Sequence, residues 1–146
     1  MPRSSPAPVT VLLADDDERV RAAVVALLAP EPDLTVVAQA ADGVQAVAAA
    51  RQSGAQLVLA DVRMPHGGPD VVRRLVSLPH RPVVIGLSAQ ADATTWMRLL
   101  SAGASGYLLK GMVSDELAPL LRRCLQGDLV VGVPGASDVL RRLLAR

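Results

Sequence analysis

Phenylalanine is absent from this chain of 146 residues, and tryptophan and tyrosine occur once each. A close-packed core must therefore be built from Val, Leu and Ala within the 51% of residues that are hydrophobic. Cysteine is equally scarce. Cys124 alone cannot close an internal disulfide, which favours a reducing compartment, and its place on an apolar helical stripe reads as an inert core thiol. No run reaches the ~18 apolar residues of a bilayer span. The Pro/Ser-rich start, residues 1–8, has no apolar stretch of signal-peptide length and is expected to be disordered. Neither sign of charge dominates: 15 Lys and Arg against 14 Asp and Glu leave a net charge of +1. No chain-wide field points to nucleic acid or to a membrane. The expectation is a cytoplasmic, single-domain protein with no membrane partner.

What is present is a repeated pattern. Val9–Ala14 is a short apolar run that ends abruptly in Asp15-Asp16-Asp17, the signature of a strand buried on both faces. Val20, Val24, Leu27 and Leu28 follow at helical spacing, closed by Pro30 and Pro32. The alternation continues with strands at 34–38, 57–60, 83–87 and Gly106–Leu109, and helices at 44–51, 70–78 and 93–102. A last helix, capped by Ser114, carries the stripe Leu117, Leu120, Leu121, Cys124 and Leu125. Pro119 in its second turn predicts a local irregularity. Five strand–helix units predict a doubly wound parallel sheet of five strands with five helices on its two faces. Residues 9–126 form this domain. Residues 127–146 read as a linker or tail, loop-like at first and ending in a short basic amphipathic helix over 138–146.

In such sheets ligands gather at the carboxyl ends of the strands. Those ends hold Asp15, Asp16 and Asp17, then Asp61, Ser88 and Lys110. Carboxylates converging on one rim repel one another unless a cation intervenes, and magnesium suits one or two carboxylates with phosphate. A hydroxyl and an ammonium beside them can hold phosphoryl oxygens. Taken singly, Asp15, Asp17, Asp42 and Asp92 read as helix caps. Taken jointly, the set describes an aspartyl-phosphate site.

The stretches VLLADDDERVR, LVLADVRMP, VVIGLSA and AGASGYLLKG resemble the receiver domains of two-component response regulators, and AGASGYLLKG resembles the NarL/FixJ (LuxR-like) subfamily in particular. The resemblance covers about residues 9–126. It implies a flavodoxin-like, three-layer α/β/α fold in which Asp61 takes a phosphoryl group from a sensor histidine kinase. It further implies magnesium, or manganese in its place, held by Asp15, Asp16, Asp61 and the backbone carbonyl of Arg63. Lys110 would pair with the phosphate, the Ser88 hydroxyl would turn toward it, and Tyr107 would swing inward as that hydroxyl moves. No enzyme activity beyond weak self-phosphorylation and autodephosphorylation is implied. Phosphorylation would favour a homodimer, and DNA would be bound through a helix-turn-helix domain outside this chain, in a transcriptional regulator. A stand-alone or phosphorylation-independent receiver acting through protein contacts is the alternative.

Three residues depart from the family pattern. Asp17 stands where the subfamily often has His. Pro69 takes the place of a Gly and Asp70 that of an apolar residue, which puts the loop after Asp61 in question. Trp96 sits beside the Ala93/Met97/Leu100 stripe, and reads either as a half-buried aromatic or as a partner contact. Two rival classes fail on particulars. A haloacid-dehalogenase-type phosphatase would need a Thr where Arg19 stands. A nucleotide-binding module would need a glycine-rich turn after the first strand.

Overall fold

The computed structural model describes residues 6–145, so the first five residues of the segment expected to be disordered lie outside the described residues. Among the described residues, strands and α-helices alternate. They run β1 (Val9–Ala14), α1 (Glu18–Leu28), β2 (Leu34–Ala40), α2 (Gly43–Ser53), β3 (Leu57–Asp61), α3 (Pro69–Val76), β4 (Val83–Ser88), α4 (Ala93–Ser101), β5 (Gly106–Leu109), α5 (Leu117–Leu125), β6 (Val130–Gly132) and α6 (Ala136–Leu144). Every strand pair is parallel, in the order β2-β1-β3-β4-β5-β6. The direction of winding reverses between β1 and β3, so the carboxyl ends of those two strands flank the crevice where such folds place ligands.

The period of two along each strand sorts its side chains into two cores. Leu12, Ala14, Val58, Ala60 and Val84 face α2, α3 and α4, where they meet Ala46, Ala50, Val72, Leu75 and Leu99. Val11, Leu13, Leu57, Leu59, Ile85 and Leu87 face α1 and α5, where they meet Val24, Leu28, Leu117, Leu121 and Cys124. All five residues of β3 are buried. Val, Leu and Ala supply most of this packing, and each fully buried Val or Leu side chain contributes about 1.5–3 kcal/mol. Three of the aspartates do act as caps: Asp17, Asp42 and Asp92 accept from the N–H groups of Arg19 (2.9 Å), Gln45 (2.8 Å) and Thr94 (3.2 Å) at the starts of α1, α2 and α4.

The sheet has six strands where the pattern predicts five. The sixth comes from the stretch expected to be a loop: Val130, Val131 and Gly132 pair with Gly106, Tyr107 and Leu108 along the open edge of β5. The tail helix exists as expected but lies two residues earlier, over Ala136–Leu144, and docks Ala136 and Val139 against the α4 side of the core.

Two further expectations are corrected. Helix α5 begins at Leu117 rather than at Ser114, so Pro119 falls in its first turn, where its missing N–H has no helical partner to lose. Helix α4 turns Trp96 and Leu99 toward the sheet, with Trp96 only 2% exposed, while Ala93, Met97 and Leu100 are half-buried toward α6. Trp96 is thus a core residue and offers no contact surface to a partner in this structure.

Candidate functional site

Each polar residue of the site is delivered by a strand end. β1 stops at Ala14 and leaves Asp15 buried, 2% exposed, with Asp16 exposed beside it. Asp15 is fixed from three directions. Its Oδ1 accepts from the Asp17 N–H (2.8 Å), its own N–H donates to Ala40 O at the end of β2 (3.0 Å), and its carbonyl accepts from Arg21 Nη1 (2.6 Å). Asp61 closes β3 and is 3% exposed; its Oδ1 accepts from the Arg63 N–H (3.2 Å). Lys110 follows β5 directly and reaches across both, with Nζ 2.8 Å from Asp15 Oδ2 and 3.3 Å from Asp61 Oδ1.

These charges perturb one another. Burial raises the Asp61 pKa above its ordinary value of 3.8, and the nearby Asp15 charge adds to the rise against the Arg63 N–H and Lys110. Burial by itself would lower the Lys110 pKa, yet contact with Asp15 and the charges of Asp61 and Asp15 outweigh it and hold the ammonium on. One cation therefore faces two buried carboxylates.

The donor set fits a hard divalent ion. One carboxylate oxygen from each of Asp15, Asp16 and Asp61 lies within 4.8 Å of the others. Asp15 Oδ2 is buried and makes an ion pair with Lys110 but no hydrogen bond of proper geometry. An oxygen left in that condition is suited to a ligand. The carbonyl of Arg63 belongs to the loop that follows Asp61.

The remaining residues form a connected wall above Asp61. Ser88 ends β4, is 1% exposed, and its Oγ accepts from the Gln90 N–H (3.1 Å). Tyr107 is fully buried in the inward position, and its hydroxyl donates to the Gln90 carbonyl. The Gln90 side chain accepts in turn from Arg63 Nη2. Gln90 thus ties Ser88, Tyr107 and the loop after Asp61 together, a role that the residues alone did not suggest. Its only signal was a polar residue two places after Ser88, in a strand-to-helix loop.

Pro69, the doubtful departure, is accommodated. It occupies the first position of α3, where a fixed φ and no N–H are an advantage, and Gly68 before it takes the positive φ of 82°. Asp70 points to solvent and pairs with Arg73 at 2.6 Å. Asp17 serves α1 as its cap rather than joining the cluster of three. Cys124 is a buried thiol whose pKa is pushed up by desolvation, as expected of an inert one. Among the described residues, no helix is long and apolar enough to cross a membrane.

Comparison with known proteins bears on the whole arrangement. The model of the response regulator receiver domain matches residues 11–122. The nitrate/nitrite response regulator protein NarL of Escherichia coli is 36% identical over 146 residues, covering 97% of this chain and 64% of NarL. The transcriptional regulatory protein DegU of Brevibacillus brevis is 33% identical over 124 residues, 84% of this chain and 52% of DegU. The chain spans less than two thirds of the length of these curated relatives. Among solved structures, the receiver domain of the NarL-like regulator of Mycobacterium tuberculosis superposes with a TM-score of 0.78 at 30% identity, covering 84% of this chain and 99% of that one. A LuxR-family regulator from Aurantimonas shares the fold with a TM-score of 0.84 at 23% identity, over 96% of this chain and 100% of that one. With its site at the winding reversal and these relatives, the chain belongs to the response regulator receiver domain family, in its NarL/FixJ (LuxR-like) branch.

Proposed function

We propose that this domain stores a signal as a phosphoryl group on Asp61 and reports its presence through β5 and the helices beside it. The supporting observation is the buried Asp61 carboxylate at the end of the central strand β3, 3.3 Å from Lys110 Nζ and within reach of the Asp15–Asp16 pair. In transfer from the phosphohistidine of a sensor kinase, an Asp61 oxygen attacks phosphorus, the P–N bond breaks, and the imidazole leaves with a proton. A bound magnesium ion, or manganese, would neutralise the charge that develops on the phosphoryl oxygens. Asp15, Asp16, Asp61 and the Arg63 carbonyl would hold it. Lys110 is placed to follow a phosphoryl oxygen once the acceptor charge is spread over three of them.

Readout follows from the wall above the acceptor. Turning the Ser88 hydroxyl toward the phosphoryl group gives up its contact with the Gln90 N–H, and Gln90 also holds the Tyr107 hydroxyl. The state of Asp61 is therefore felt at β5, whose far side carries β6. The transcriptional regulatory proteins among the relatives support gene control as the output in a longer chain, through a helix-turn-helix part outside these residues. A cytoplasmic setting and a homodimer as the active form belong to the same proposal.

Incubation with acetyl phosphate and magnesium, read by intact mass, tests the proposal. A single phosphoryl adduct is expected on the wild type and none on Asp61→Asn. Absence of any wild-type adduct would turn the reading to a receiver that works without phosphorylation, and steady hydrolysis of varied phosphate esters would turn it to a phosphatase.

A further inference from the structure

The loop between β3 and α3, residues 62–68, carries the Arg63 carbonyl and so sets one side of the cation site. Its middle is packed against another element altogether. The N–H of Gly43, first residue of α2, donates to Pro65 O at 2.8 Å. A Cβ built on Gly43 would overlap the His66 carbonyl oxygen and lie 2.5 Å from the His66 carbonyl carbon. Both are backbone atoms, with no side-chain rotation available to relieve the collision. His66 is itself held at a φ of 56°, a conformation side chains seldom adopt.

The surface that Gly43 presents is firmly made. Asp42 accepts from the Gln45 N–H (2.8 Å), and Gln45 Oε1 accepts from the Ala41 N–H (3.0 Å), a reciprocal closure of the start of α2. Two residues earlier, Ala40 O receives the Asp15 N–H (3.0 Å). The corner 40–43 thus touches both halves of the cluster: Asp15 through Ala40, and the loop after Asp61 through Gly43.

We propose that this corner is the spacer of the cation site and that Gly43 is its positioning residue, setting how far the Arg63 carbonyl and Asp61 stand from Asp15 and Asp16. The proposal rests on the phosphoacceptor reading and adds to it a residue with no side chain and no ligand contact. Magnesium demands close octahedral geometry, so a displaced loop costs affinity before it costs the fold. Outer supports of metal sites are typically worth ~10- to 100-fold in affinity.

The test compares Gly43→Ala with Gly106→Ala in the full chain. A Cβ at Gly106 meets Val130 O at 3.1 Å and Cys124 Sγ at 3.2 Å, on β5 away from the cluster, and serves as the steric control. Magnesium affinity is read by calorimetry, loop order by amide hydrogen exchange of residues 62–68 without metal, and stability by thermal melting. Gly43→Ala is expected to weaken magnesium at least ~10-fold and to speed exchange in the loop; Gly106→Ala is expected to do neither. Adding His66→Gly to Gly43→Ala should restore part of the affinity, because the loop then has another path. Should Gly43→Ala fail to fold, Asp42→Ala, which loosens the corner without a clash, is expected to give a smaller loss in the same direction. Wild-type affinity and loop exchange in either variant, or losses in both Gly43→Ala and Gly106→Ala that merely track melting temperature, would overturn the proposal. Absence of magnesium binding and of the phosphoryl adduct in the wild type would instead sink the phosphoacceptor reading itself.

Discussion

The two ends of this sheet's history along the chain are built in opposite ways. At the acceptor rim, Asp15 and Asp61 are buried carboxylates held by backbone donors and by Lys110, and the strands beneath them are covered on both faces. At the tail, β6 is three residues long and α6 buries no residue at all, leaving Leu140 and Leu144 exposed. One region keeps costly charges in place by surrounding them; the other has few constraints and rests on the molecule's side. Such a contrast teaches where free energy is concentrated. Rigidity here follows the site and not the chain's length.

Graded substitutions can break or sharpen that contrast. The largest effect is expected beneath the rim. Leu75→Ala, at a fully buried α3 position, should cost about 2–5 kcal/mol in denaturant unfolding. A cost under about 1 kcal/mol would mean that this core is looser than its burial implies.

The next concerns Asp61 itself. Its carboxyl is held above 3.8 by burial first and by Asp15 second. The folded protein therefore keeps a proton there that the unfolded chain has already released. Stability falls as pH rises through that window, and the ionised group is a net cost at pH 7. Asp61→Asn should raise the melting temperature at pH 7, with the gain shrinking as pH falls from the raised folded value toward 3.8 and vanishing below it. A melting temperature lowered at pH 7 would show that the Lys110 contact outweighs burial.

Away from both rim and tail stands Arg122 of α5, which pairs with Asp33 (2.8 Å) and Glu31 in the turn after α1. Its guanidinium pKa is raised mainly by its hydrogen bonds to Asp33 and then Glu31. The group is partly open to solvent, so Arg122→Ala should cost no more than about 1 kcal/mol, and less at 1 M salt. Least of all is expected from Leu144→Ala. At 76% exposure, Leu144 should contribute within about 0.5 kcal/mol in the same measurement. A larger loss would make α6 part of the core.

Legibility in the sequence divides along the same line. β1 and β5 appear over the residues their apolar runs predict, because burial on both faces leaves an unambiguous signal. Asp15, Asp16, Asp61 and Lys110 converge because each ends a strand or lies within two residues of its end, and parallel winding brings those ends to one rim. What local pattern could not show depends on partners distant in sequence. β6 is a strand because β5 offers an open edge, where Gly106 leaves room for the Val130 carbonyl, not because Val130–Gly132 has a strong pattern. α4 has two apolar faces, one for the sheet and one for α6, so a single stripe misplaced Trp96. Gly43 and Gln90 act through an absent Cβ and through backbone groups, which residue chemistry does not advertise.

The burial of Trp96 has an optical consequence. It is the only tryptophan, and the only tyrosine, Tyr107, lies in the same core cluster. The intrinsic emission of this protein therefore comes from one core cluster on the α4 side of the sheet. Energy passed from Tyr107 to Trp96 and the wavelength of Trp96 emission would report the packing of that cluster without any label. The scarcity of aromatic rings leaves the chain with one built-in optical probe.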